Sequence, residues 1–263
     1  ANRYLKTPLR GWSKVQQLLI QPRAGRQLNA FYDRQALRFF YAADPITNRI
    51  VYSSNSADVV CHEIGHAILD SLRPDLFNTQ AMEIWAYHES FGDQHAIINM
   101  LQHDVVLECV LRETSGNLRQ SNRASKLAEE MGSAIFHLTG GRMGHTDGVL
   151  RNAFNNYHYV RPETLPHNCL DNLLCAEPHN FSRVFTGAWY DILCGIYEDK
   201  MRNMPPKEAL IAARDILGMY TYQALPLAAA SIRFYDSMAR AMLVIDKTNN
   251  YAYNGLMDQV FMS

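Results

Sequence analysis

The sequence predicts an α+β fold: a short β-rich N-terminal part, a central group of helices and an all-helical C-terminal lobe. Three observations carry this reading. β-prone runs crowd together before residue 54, apolar residues recur at helical spacing from Val59, and the pattern beyond Ser182 is helical, broken only near prolines and asparagines. With 263 residues the chain can form one large domain or two lobes sharing a core. The pattern divides it into residues 1–138, holding the β part and central helices, and residues 139–263, holding a loop region and the helical lobe, with a cleft between them.

Taken in order, Leu28 to Tyr32 and Leu37 to Ala42 read as strands, and the Asp-Pro and Thr-Asn pairs between Asp44 and Asn48 supply a turn before Arg49 to Ser54. Ser56 is placed to cap a helix whose apolar positions are Val59, Val60, Ile64, Ala67 and Ile68, and Pro74 prevents its continuation. A second helix is expected over about 80–112 and a third over about 122–138. Residues 139–180, rich in Gly, Pro, Asn and His, read as loops. About four helical segments follow, separated near Pro205-Pro206, Pro226 and Asn249-Asn250.

Composition excludes several classes. Hydrophobic residues at 48% and charged residues at 19% are those of a globular chain rather than a disordered one. Twenty-five Lys and Arg against 26 Asp and Glu give a net charge of −1 with no basic stripe, so nucleic-acid binding has no electrostatic support. No apolar run reaches membrane-spanning length, and Ala1 to Trp12 holds no apolar signal-peptide core. Five cysteines at irregular spacing do not form a disulfide framework, although a single bridge is compatible with them.

The most informative stretch is His62-Glu63-Ile64-Gly65-His66. On a helix, residues four apart share a face, so both imidazoles can reach one ion. Catalytic zinc takes three protein ligands and one water, and Glu63 is placed to accept that water's proton. The bland alternative, a solvated His-Glu-His surface run, sits poorly in so apolar a helix. A carboxylate third ligand is expected on the next helix, between Glu83 and Asp93. Glu89 and Asp93 share a face there, so Glu89 can bind the metal while Asp93 accepts the second ring N–H of a ligand histidine. Glu83 and His88 compete for the ligand role, but Glu83 lacks an acid four residues on and His88 points to another face.

His62-Glu63-x-x-His66 followed by Glu89-x-x-x-Asp93 resembles the zinc site of the thermolysin-like gluzincin metallopeptidases. The resemblance extends over about residues 28–262. Asn29-Ala30-Phe31-Tyr32 is similar to the family's substrate-binding edge strand, and Asp58-Val59-Val60 to the lead into its zinc helix. His179-x-x-Ser182 with Ala188-x-Tyr190 is similar to its transition-state histidine segment, and Arg151, 179 − 151 = 28 residues earlier, stands near the place of an arginine that holds a substrate carbonyl. The resemblance implies a zincin fold with one catalytic zinc, metalloendopeptidase activity on an extended peptide or protein substrate, Glu63 as general base, and secretion. It implies His179 as oxyanion donor, Asn29 and Ala30 as main-chain partners of the substrate, and Arg151 as a substrate-carbonyl ligand.

The chain also departs from that family. Twenty-two residues separate His66 from Glu89, a few more than usual, and only about 60 precede the zinc helix. Between Ala96 and Cys109 the only acids are Asp104 and Glu108, so the family's double calcium site is not expected. Leu174 stands where an acid normally supports the histidine, leaving Glu177 or Asp171 as substitutes, and Tyr87 is a candidate for the family's tyrosine beside the zinc. The competing functions are a zinc exopeptidase or other zinc amide hydrolase, and an inactive peptide-binding module on the same scaffold. His167, Cys169, Cys175 and His179 leave open a second structural zinc or a Cys169–Cys175 bridge, while Cys61 reads as a small apolar packing residue.

Overall fold

In the computed structural model, which describes residues 1–9, 11–141, 148–250 and 252–262, the chain opens on short strands. β1 (Leu19–Gln21), β2 (Ala30–Tyr32) and β3 (Ala36–Phe39) form a sheet in the order β1-β3-β2. β3 runs parallel to β1 and antiparallel to β2, with Phe31 opposite Arg38. Alternation on β3 buries Leu37 and Phe39, while Arg38 turns away to the Asp33 carboxylate at 2.6 Å. β4 (Tyr41–Ala43) and β5 (Ile50–Tyr52) make the expected hairpin. Asp44 closes its turn by accepting from the Ile46 and Thr47 N–H groups, and Asn48 takes the left-handed conformation asparagine tolerates.

The first helix, α1 (Ala57–Leu72), stops before Pro74 as the spacing requires, and Pro74 opens the short α2 (Pro74–Asn78). Ser56 does not cap α1 through its side chain; its hydroxyl is drawn instead to Asp58. Asp70, fully buried near the end of α1, accepts from the Tyr32 hydroxyl at 2.9 Å and from Arg34 at 2.7 and 3.1 Å, which fastens the β2–β3 turn to the helix.

The expected helix over 80–112 is two helices, α3 (Met82–Met100) and α4 (Asp104–Glu113). Arg214 donates to the Leu101 carbonyl at 2.6 Å, satisfying an acceptor that a continuous helix would have used itself. The third helix begins later than expected, as α5 (Glu129–Leu138). Asn122 holds its own turn by accepting from the Ala124 and Ser125 N–H groups, and Lys126–Leu127 form β6, paired with β7 (Arg151–Asn152). The helical lobe then follows its pattern as α6 (Pro178–Lys200), α7 (Pro206–Ala224), α8 (Phe234–Thr248) and α9 (Asn254–Phe261). No helix among the described residues is long and apolar enough to cross a membrane.

Two apolar cores result. The larger joins α3, α6, α7 and α8 around Tyr87, Phe91, Trp189 and Tyr222, all fully buried. The smaller lies between the first sheet, α1 and α5 around Leu37, Phe39, Val59 and Met131. Ile64 on α1 packs against both, so this helix is their shared wall.

His95 is buried in the larger core, where its Nδ1–H meets the Tyr222 hydroxyl and Asn99 donates to Nε2 at 3.0 Å. Burial pushes its imidazole down to about 3. Between about pH 6.5 and that value the unfolded chain binds a proton here that the folded chain does not, so stability falls as pH falls through this window. Urea titrations of wild type and His95→Gln should show it. Wild type is expected to lose about 2 kcal/mol more than the variant between pH 6.5 and pH 5; equal losses would show that His95 does not titrate in this way.

Candidate metal centre

The centre depends first on how closely α1 and α3 approach. Where they cross, a Cβ added to Gly65 would lie 2.9 Å from the Gly92 Cα, and one added to Gly92 would lie 2.7 Å from the His62 ring. Only hydrogen at both positions allows so short a separation. The approach brings the face of α1 that carries His62 and His66 against the face of α3 that carries Glu89 and Asp93.

His62, His66 and Glu89 offer one ligand atom each, all within 4.8 Å of one another, and among the described residues they are the one group of three or more that could hold a metal ion. His62 Nε2 lies 3.3 Å from Glu89 Oε2 and His66 Nε2 lies 3.6 Å from Glu89 Oε1. Ligands about 2.0–2.2 Å from a tetrahedral ion stand about 3.3–3.6 Å apart, so two imidazoles and a carboxylate at this spacing suit zinc. Glu89 Oε2 is buried without an aligned hydrogen bond, and so is Glu63 Oε2. Both are acceptors in want of a partner.

The electrostatics separate the two histidines. Burial pushes His66 down to about 3, which keeps it neutral and ready to ligate. Burial also opposes charge on His62, yet its contacts with Asp93 and Glu89 carry it up to about 10; a divalent cation would take the place of that proton. For Glu89, burial disfavours ionisation, but the charge of His179 and the neighbouring imidazoles of His66 and His62 hold it well below the usual carboxylate range. Burial pushes Glu63 up to about 7.

Asp93 accepts from His62 Nδ1 at 2.8 Å, the contact its place four residues after Glu89 suggests. Its other attachment is not visible in the sequence: Arg151 grips both carboxylate oxygens, Nε to Oδ2 at 2.8 Å and Nη2 to Oδ1 at 2.7 Å. Arg151 therefore orients an orienting residue, and it does so from β7, whose pairing with β6 sets its position. It also lines the cavity, as do Asn29, Ala30 and His179.

That cavity, about 740 Å³, is lined by the apolar side chains of Leu127, Met131, Ile135 and Leu150 and by the aromatic rings of Phe77, Trp85 and His88. Its wall includes β2, an edge strand. Asn29 occupies the Ala30 N–H with its own Oδ1 at 2.9 Å, so an incoming chain reaches that donor only after the Asn29 side chain turns away. His179 stands at the first turn of α6 with its ring 60% exposed, Nε2 3.3 Å from Glu89 and Nδ1 2.7 Å from Glu177. The charge of Glu89 raises its pKa, with Glu177 adding to the effect. Glu177, not Asp171, is its acidic partner.

Other expected neighbours lie elsewhere. Tyr87 is fully buried and packs edge-on against Phe185 and Phe234 at 5.2 and 5.0 Å, because its face of α3 turns into the larger core rather than toward the histidines. Glu83 accepts from the Tyr159 hydroxyl and the Tyr235 N–H, which removes it as a ligand. His88 lies near His66, ring centroids 6.0 Å apart, but outside the three-residue group. His167, Cys169, Cys175 and His179 form no metal-ligand group among the described residues. The aromatic part of the lining escaped sequence reasoning; its one signal was the long interval between His66 and Glu89, which α2 fills and which delivers Phe77. No protein-family model, curated protein or solved structure matches the chain.

Gly92→Ala tests the close approach. The methyl group strikes the His62 ring, so the variant should lose about 1–3 kcal/mol in urea unfolding and bind zinc more weakly by isothermal titration. Wild-type stability together with wild-type affinity would show that the helices have room to spare.

Proposed function

We propose that the chain is a zinc-dependent metalloendopeptidase of the thermolysin-like gluzincin type. The observation that carries the reading is the grouping of His62, His66 and Glu89 around one point, beside the unpartnered Glu63 carboxylate and an open sheet edge. Zinc held by His62 Nε2, His66 Nε2 and the Glu89 carboxylate would supply Lewis acidity and lower the pKa of a bound water.

The chain's own residues do the rest. Glu63 takes the proton of the attacking water and passes it to the leaving amine. Its high pKa suits both halves of that transfer, since a base near neutrality accepts and returns a proton with comparable ease. His179, oriented through Nδ1 by Glu177, donates from Nε2 to the developing oxyanion, a contact that strengthens as charge builds there. Asp93 fixes the ring of His62, and Arg151 fixes Asp93. Arg151 was expected to hold a substrate carbonyl; its bidentate attachment makes it a positioning residue first.

Substrate enters as an extended segment along β2, whose free edge offers main-chain pairing without regard to side chains. Asn29 releases the Ala30 N–H to it. An extended chain paired along β2 would pass beside His62, His66 and Glu89, which line the same cavity, and this supports internal cleavage of an unfolded or flexible peptide.

Elemental analysis with cleavage of casein tests the reading. Wild type should carry one zinc per chain and lose cleavage to a chelator, and Glu89→Ala should lose most of the metal. Glu63→Gln should keep the zinc and lose about 10²–10⁴-fold in turnover; turnover near that of wild type would remove Glu63 from the general-base role. Zinc without cleavage would favour a peptide-binding module on the same scaffold, and wild type without zinc under metal-replete conditions would overturn the proposal.

A further inference from the structure

The loop leading into α6 holds two thiols that the proposed chemistry does not use. Its ends are joined by a backbone hydrogen bond from the Ala176 N–H to the Pro166 carbonyl at 2.8 Å, which makes residues 166–176 a closed surface loop. Cys169 and Cys175 both lie within it, and both cysteines are free. One buried side chain ties them together: Asn180 donates from Nδ2 to Cys169 Sγ at 3.4 Å and accepts the Cys175 N–H on Oδ1 at 2.9 Å. The Cys169 thiol donates to the Leu173 carbonyl at 3.3 Å, and Asn180 and Arg183 donate to the same oxygen at 3.0 and 2.8 Å. Burial, followed by a hydrogen bond with the Cys175 thiol, pushes Cys169 up to about 12. The two thiols thus lie within hydrogen-bonding reach of each other, held to one side chain in a closed loop.

We propose that Cys169 and Cys175 are an oxidisable pair whose disulfide staples this loop, and with it the segment that carries Glu177 and His179. Cys169 is the more exposed thiol and meets the oxidant first. With a small-molecule disulfide such as oxidised glutathione, the small thiolate fraction of Cys169 attacks one sulfur and releases one glutathione thiolate, a slow step because burial holds the thiol protonated. The Cys175 thiolate then attacks Cys169 Sγ and releases the second. The protein gains one S–S bond and loses two thiol protons, while oxidised glutathione is reduced to two glutathiones. Asn180 remains as the bracket that keeps the sulfurs in reach. The staple itself does not rest on the zinc reading; only a change in turnover on oxidation would.

The test treats the native full chain with oxidised glutathione at pH 8.5, then alkylates it and analyses it by mass spectrometry. Loss of about 2 Da, a cross-linked peptide joining Cys169 to Cys175, and three alkylatable thiols remaining in denaturant are expected. The bridged form should melt roughly 4 °C higher than the reduced form, since the closed loop restricts the unfolded chain. Cys169→Ser, which leaves the metal centre intact, should form no bridge and show no shift. A glutathione adduct that persists on Cys169, a bridge to Cys61, Cys109 or Cys194, or no reaction would each overturn the pairing. A bridged form that melts with the reduced one would overturn the staple.

Discussion

The grouping of His62, His66 and Glu89 rests on the contact between Gly65 and Gly92. Histidines four residues apart on one helix can present two imidazoles, but a third ligand must come from elsewhere and within an ångström or so of the right place. Two helices carrying ordinary side chains at their crossing stand 8–10 Å apart. Hydrogen at both crossing positions lets α1 and α3 come closer, and the Glu89 carboxylate lies within 3.3 Å of His62 Nε2 and 3.6 Å of His66 Nε2. Asp93, one turn further along α3, then falls against the outer nitrogen of His62.

A buried carboxylate placed against an imidazole carries a desolvation penalty of several kcal/mol. Arg151 offsets it by closing a bidentate pair on Asp93, and the large burial of all three groups makes their charges strong at short range. The consequence is a division of labour along the chain. The helices supply the candidate ligands, whereas a two-residue ladder, β6 with β7, supplies the guanidinium that holds Asp93 and through it the His62 ring.

Local features were legible in the sequence because helical period alone generates them. The pairs His62 with His66 and Glu89 with Asp93 follow from spacing four, and the ends of α1 and the four C-terminal helices follow from Pro and Asn. What was not legible comes from contacts distant in the chain. The break after Met100 depends on Arg214, more than a hundred residues later. The late start of α5 depends on strand pairing with residues near 151 that overrides a helical pattern. α3 is buried on nearly every side, so no polar stripe reveals which face meets α1, and Tyr87 could not be placed from periodicity. His179 had two acids within reach in sequence, and only the turn before α6 selects Glu177.

That turn has a further effect. Glu177 is the residue before the 23-residue α6: its carboxylate accepts the Asn180 N–H and its carbonyl accepts the Phe181 N–H at 2.8 Å, while Pro178 brings no N–H to the first turn. The aligned peptide dipoles of such a helix sum to about half a positive charge at this end. The end lies beside Glu89 and His179, where it adds a fixed positive potential that no change in pH can titrate away. The backbone of α6 thus favours the negative charge that Glu177 and Glu89 already place at its mouth.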